Sequence, residues 1–157
     1  MTGPEVGRLE ALYQERHRDS VRLAHLLVGD RALAEELVHD AFLRVLPRID
    51  ELDNPAGYLR TVLVNLCRDA GRRATRARNH PQDRPEPAPA PDLPASSTAV
   101  WAELQRLPER QRIALCLRFY DDLTDADIAE ILGVRPATVR SLVHRGLATL
   151  KEVVPDD

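Results

Sequence analysis

A chain of 157 residues holds one ordinary domain or two small ones. Aromatics make up 4% of it, and its apolar residues recur at helical rather than alternating spacing; this argues against a strand-rich architecture and predicts an all-α protein. The formal net charge of −3 conceals a segregation: Pro55 to Arg78 carries six arginines against the single acid Asp69, and Arg135 to Lys151 carries four basic residues and no acid, so local fields outweigh the total in deciding what these segments attract.

The opening stretch, MTGPEVGRLEAL, lacks the charged-then-apolar layout of a signal peptide. No apolar run approaches the roughly 20 residues that span a membrane, so a cytoplasmic protein without membrane insertion is expected. Leu9, Leu12 and Tyr13 open a first helix, which Leu23, Leu26 and Leu27 close before Gly29. Asp30 is placed to cap a second, in which Leu33, Leu37, Val38, Ala41, Phe42, Val45, Leu46 and Ile49 recur three and four apart. Pro47 is expected to kink or end it, and a loop from Arg48 to Asn54 leads to Pro55. Leu59, Val62, Leu63, Leu66, Cys67 and Ala70 then form the buried stripe of a third helix, whose other side carries Arg60, Asn65, Arg68, Arg72 and Arg73. Such a face is usually just solvated; here the cations gather without acidic partners, which favours a phosphate-facing surface.

Between His80 and Ser97 the composition breaks, with six of the twelve prolines and almost nothing apolar to bury. A segment of this kind does not offset its own ordering entropy and tends toward extended polyproline geometry. At about 3.1 Å per residue, Asn79 to Ser97 reaches roughly 60 Å when fully extended, against roughly 35 Å for one turn of DNA. The expectation is two small helical domains, at 5–78 and 98–154, joined by a flexible proline-rich linker at 79–97. In the second half Val100, Leu104 and Leu107 form a short helix, and Pro108 restarts the chain at a first-turn position. Ile113, Leu115, Leu117 and Phe119 crowd the next helix, and Thr124 caps the one after, with Asp127 three residues on.

DIAEILGVRPATVRSLVHRG, Asp127 to Gly146, is the most specific stretch. Ile128 and Leu132 give one helix a buried face, and Ala129 is small where a second helix crosses. Gly133 supplies the left-handed residue that ends the first helix, Val134 plugs the turn, and Pro136 suits the first turn of the second. Val139, Leu142 and Val143 return an apolar face to the core. Arg135, Thr138, Arg140, Ser141, His144 and Arg145 remain for solvent. An ordinary helical hairpin needs no such set of offsets; a DNA-binding helix-turn-helix does.

Cys67 and Cys116 lie far apart in apolar helical patterns and read as buried reduced thiols. His17, His25, His39, His80 and His144 form no metal motif, and there is no phosphate loop, GxSxG or HExxH. No catalytic residue, metal or cofactor is expected.

With the helix-turn-helix, three further segments carry a family resemblance: GDRALAEELVHDAFLRV (Gly29–Val45), NPAGYLR (Asn54–Arg60) and LPERQR (Leu107–Arg112). Together they resemble the extracytoplasmic-function (ECF) sigma factors of bacterial RNA polymerase, in particular their small actinobacterial type. The resemblance covers nearly the whole chain apart from linker and termini. It implies sigma region 2 in the first domain and sigma region 4 in the second. The implied partners are core RNA polymerase, through its clamp coiled-coil and flap, and promoter DNA, and an anti-sigma factor is left open as another. The resemblance assigns polymerase binding to Glu36, His39, Asp40, Leu43 and Leu46, with His39 standing where glutamine is usual. It assigns the melted minus-ten strand to Asn65, Arg68, Asp69 and Arg72, flanked by Arg60 and Arg73 of the same helix, with the loop before Pro55 helping to capture a flipped base. Tyr58 stands where tryptophan is frequent and is expected to pack. The minus-thirty-five groove falls to Arg135, Thr138, Arg140, Ser141, His144 and Arg145, where Arg135 replaces a common serine cap and Leu142 a frequent arginine. Two other readings differ in kind. A conventional helix-turn-helix regulator requires a receiver or ligand-binding domain, usually strand-rich, and the first half shows no strand pattern. An enzyme with a DNA-binding module requires a catalytic constellation.

Overall fold

The computed structural model describes residues 3–78 and 98–153, and every regular element among them is helical. They fall into two compact units. The expected linker at 79–97 lies outside the described residues.

The first unit is built from α1 (Gly3–Val28), α2 (Arg31–Val45), a 3₁₀ turn (Leu46–Glu51) and α3 (Pro55–Arg78). Its three α-helices pack pairwise on one another. α1 stops where Gly29 takes φ 78° and donates its N–H to the His25 carbonyl at 2.9 Å, a left-handed terminus that only glycine adopts without steric cost. Asp30 follows at once as the cap of α2, its Oδ1 accepting from the Leu33 N–H at 3.2 Å. The core of this unit includes Ala24 and Leu27 of α1, Val38, Ala41 and Val45 of α2, and Leu59, Leu63 and Val64 of α3. Each large aliphatic side chain so buried stabilises the fold by roughly 1.5–3 kcal/mol.

Pro47 ends α2 as expected, but the chain does not pass straight into a loop: Leu46 to Glu51 tightens into 3₁₀ geometry, which keeps Ile49 at 1% exposure. Asn54 then caps α3, its Oδ1 accepting from the Gly57 N–H at 3.1 Å and its carbonyl from the Tyr58 N–H at 3.1 Å, while Pro55 occupies the first helical position, where a missing N–H costs nothing. Gly57 has no side chain for a spatial reason: a Cβ there would lie 2.6 Å from the Asn54 amide nitrogen. Tyr13, read with Leu9 and Leu12 as opening α1, is 46% exposed; it lies on the flank of the helix, stacked on His17 at 4.3 Å and tilted against Phe42 at 5.1 Å.

The second unit contains α4 (Thr98–Arg106), α5 (Glu109–Phe119), α6 (Asp125–Leu132) and α7 (Pro136–Lys151). Pro108 is the residue before α5 rather than its first, in extended conformation (φ −51°, ψ 143°). The joint is held by Arg112, whose Nη1 donates to the carbonyls of Gln105 at 2.9 Å and Leu107 at 3.2 Å, a cation at the negative end of α4. Trp101, absent from the expected apolar set of α4, is its buried residue, while Val100 and Leu104 are half-buried. Ile113 to Leu117 are all buried, but Phe119 is 60% exposed, because the packing around α5 stops two residues before the helix does.

α6 and α7 form the helix-turn-helix. The Thr124 hydroxyl accepts from the Asp127 N–H at 3.2 Å, Gly133 takes φ 69°, and the Val134 N–H reaches the Ala129 carbonyl at 3.0 Å. Val139 and Val143 face the core, with Leu142 half-buried at its edge. α7 approaches α5 closely at Gly146, where a Cβ would lie 2.6 Å from Leu115 Cδ1. Both cysteines are buried and reduced; burial pushes the Cys116 thiol up to about 12. Among the described residues no helix is long and apolar enough to cross a membrane, and no group of side chains is arranged to hold a metal ion.

Candidate nucleic-acid and partner surfaces

At about 100° per residue, Glu36, His39, Asp40 and Leu43 fall on one stripe of α2, opposite the stripe of Ala34, Leu37, Val38, Ala41 and Val45 that fills the core. Glu36 and His39 are exposed, Asp40 is half-buried, and Leu43 is 53% exposed, an apolar side chain held in water. Asp40 lies 3.5 Å from Arg44, an i,i+4 pair open enough to contribute at most a few tenths of a kcal/mol. Leu46 is half-buried in the 3₁₀ turn, past the end of the stripe. A shallow surface groove lined by Asp30, Ala32, Leu33, Glu35, Glu36 and His39 adjoins this stripe.

On α3 the same arithmetic separates residues that sequence reading had grouped. Asn65, Arg68, Asp69 and Arg72 share one face, but Arg60 is about 140° from Asn65 and Arg73 about 80°; Arg60 is half-buried on the flank near Val64 and Cys67. Nor is the face purely cationic: the Asp69 carboxylate lies 3.9 Å from Arg72. The expectation of arginines without acidic partners is corrected at that pair. Two residues were missed on the same face, Thr61, whose hydroxyl donates to the Gly57 carbonyl at 3.1 Å, and Arg76, exposed one turn beyond Arg72. Counting residues three and four apart from Asn65 and Arg72 would have found both. Tyr58 packs as expected, with a polar function added: its hydroxyl accepts from Arg48 Nη1 at 3.1 Å while the guanidinium carbon lies 5.0 Å from the ring centroid. The pair ties the 3₁₀ turn to the start of α3, so the segment before Pro55 is held by the helix it precedes.

α7 turns Thr138, Arg140, Ser141, His144 and Arg145 outward, all exposed, around Ala137 and Ala148, which keep the middle of that face low. Arg135 precedes the helix in extended conformation and makes no side-chain cap bond, as its substitution for a serine leads one to expect. On this exposed face Arg140 has a partner on another helix, Asp125 at 3.8 Å.

Against known families, residues 12–77 match sigma-70 region 2 and residues 97–150 match sigma-70 region 4. The ECF RNA polymerase sigma factor SigM of Mycobacterium tuberculosis is 31% identical over 152 residues, covering 92% of this chain and 76% of that protein. The chain belongs to the ECF sigma factors. Within that family it is also similar to SigE of Mycolicibacterium smegmatis, 33% identical over 149 residues, covering 87% of this chain and 58% of the relative, and to the sigma-E factor of Streptomyces coelicolor, 29% identical with 94% and 86% covered. The chain thus spans well under two thirds of the length of SigE, and 60% of that of the Streptomyces factor BldN. Among solved structures, the sigma factor RpoE of Bartonella quintana, crystallised with the anti-sigma factor NepR, shares the fold at a TM-score of 0.75 and 24% identity, over 92% of this chain and 96% of that one. An ECF sigma factor accounts for both units at once: the three-helix unit takes the place of region 2, the helix-turn-helix unit that of region 4.

Proposed function

We propose that this chain is an alternative sigma factor: a non-catalytic, cytoplasmic subunit that binds core RNA polymerase and directs initiation at promoters by reading minus-thirty-five and minus-ten elements and melting the DNA at the minus-ten element. Region 2 is assigned to 5–78, a flexible linker to 79–97 and region 4 to 98–154. The observation that carries the reading is the presence, in one chain, of a polar α3 stripe on a region 2 unit and an open recognition helix on a region 4 unit.

Opening DNA without ATP requires binding the unpaired strand better than the duplex, and each unstacked base costs a few kcal/mol that must be recovered in a pocket or on polar side chains. Asn65 suits that role, since its amide both donates and accepts toward a base edge. Arg68, Arg72 and Arg76 are placed to hold phosphates and register, while Asp69 orients Arg72. On α7, Arg140 and Arg145 address the upstream major groove, where a bidentate arginine–guanine pair gives about 1–3 kcal/mol of discrimination. The Glu36–His39–Asp40–Leu43 stripe, continued by Leu46, is assigned to the clamp coiled-coil of polymerase, and region 4 to the flap. An anti-sigma factor, the kind of partner crystallised with RpoE, is included among the partners.

The test is run-off transcription with core polymerase on a promoter library. Selective transcripts that appear only when the chain is added support the proposal. Tight sequence-specific duplex binding by the isolated chain, with no transcript gained, would favour a conventional regulator.

A further inference from the structure

α5, α6 and α7 each send one charged side chain to a common point. Asp125, the first residue of α6, pairs with Arg118 of α5 through Oδ1, and its Oδ2 faces Arg140 Nη1 of the recognition helix at 3.8 Å. The side chain of Asp125 is 22% exposed and that of Arg118 33%, whereas that of Arg140 is 65% exposed. The carboxylate is therefore fixed from behind by a cation on the packed side and presents its free oxygen to a cation that is otherwise open to solvent.

We infer that Asp125 is a specificity-determining positioning residue, which turns Arg140 from a general phosphate clamp into a reader of one base. The inference rests on the reading of α7 as the helix that enters the upstream groove. Three physical points carry it. A free arginine on a helix surface has many rotamers and must lose that freedom to make a bidentate contact, so a partner that orients the fork beforehand lowers the ordering cost. At 3.8 Å the contact is an ion pair rather than a tight hydrogen bond, so Arg140 is oriented without being used up: with Nη1 turned to Asp125, Nε and Nη2 remain for the O6 and N7 of a guanine. Third, a carboxylate beside the guanidinium repels a phosphate that approaches it, so the pair disfavours contacts that every sequence offers equally. Arg118 keeps the carboxylate in place when Arg140 moves to DNA, since a half-buried charge left alone would be costly.

The experiment uses holoenzyme assembled from core RNA polymerase and the full chain. Binding is measured on upstream elements carrying each of the four bases at each position, with the downstream element constant. Arg140→Ala should abolish the preference at one position. Asp125→Asn should lower the preference at that same position about three- to tenfold, a fraction of what a bidentate pair provides, and should add nothing in the Arg140→Ala background. Affinity averaged over the four bases should hold or rise with Asp125→Asn, whereas a merely structural role would weaken all four alike. Arg140→Lys touches no packed residue and keeps the charge without the fork; it should lose the preference too, whatever Asp125→Asn does to folding. Preference unchanged in Asp125→Asn while Arg140→Ala loses it overturns the inference and leaves the proposed function standing. Preference unchanged in Arg140→Lys or Arg140→Ala overturns it as well. Wild-type holoenzyme that ignores the upstream element altogether instead overturns the proposed function.

Discussion

Gly146 sits in the interior of α7, and helix propensity alone says that alanine there should stabilise the protein by roughly 0.5–1 kcal/mol. The packing gives the opposite sign. A Cβ at 146 would lie 2.6 Å from Leu115 Cδ1, 3.2 Å from Leu115 Cγ and 3.7 Å from Gln111 Cβ, and Leu115 is 4% exposed, so its end cannot relieve the contact by swinging out into solvent. Overpacking of a closed core costs typically about 1–3 kcal/mol. The net expectation for Gly146→Ala is a loss of roughly 0.5–2 kcal/mol, with α7 pushed away from α5. Denaturant titration followed by the fluorescence of Trp101 is well suited, because it is the single tryptophan and is buried in the affected unit. Leu115→Val removes the clashing δ-methyl group, so the double variant should lose less than the two single losses combined. A Gly146→Ala protein as stable as wild type, or more so, would refute the close approach of α5 and α7.

Three other outcomes follow from the same geometry. Asn54→Ala removes the cap of α3 and should lower the stability of the first unit by about 1 kcal/mol in thermal melts followed by circular dichroism. Burial, reinforced by the nearby Arg31, holds the His25 imidazole below its usual 6.5; the unfolded chain then binds more protons, so stability is complete above pH 6.5 and falls as the pH drops below it. His25→Gln should flatten that acid-side decline in urea midpoints, and an unchanged decline would assign it to other groups. Asp40→Arg cancels the net negative charge of the exposed α2 stripe, leaving Glu36 opposed by a cation, at the expense of a weak surface pair, and should reduce capture by core polymerase in a pull-down while leaving the melting curve of the chain in place.

The helix-turn-helix was legible because its positions are chemically extreme. A left-handed Gly133, a proline at the start of α7, a hydroxyl at Thr124 and buried Ile128 and Val139 each admit few substitutes, and local rules suffice to place them. The caps at Asp30 and Thr124 were readable for the same reason. What escaped depends on phase or on distance along the chain. Arg60 and Asn65 look alike in a list of polar residues, yet five positions on an α-helix turn them to different faces. Ile49 kept the apolar spacing of α2 while Pro47 had already changed the helix type, so the stripe outlasted the element that carried it. Phe119 is as apolar as its buried neighbours, and only the position where packing ends tells it apart. The roles of Gly146 and Asp125 rest on Leu115, Arg118 and Arg140, which no periodicity links to them.

Permanganate footprinting of unpaired thymines tests most directly the claim that one chain both finds and opens a promoter. Reactive thymines are expected within the minus-ten element only when core polymerase, the chain and a cognate promoter are all present. Asn65→Ala should weaken that signal or change the preferred base, because it removes an exposed amide and leaves every arginine of α3 in place. Normal opening with unchanged base preference in Asn65→Ala would remove α3 from the melting step, and a promoter that stays double-stranded with wild-type chain and core polymerase would contradict the function itself.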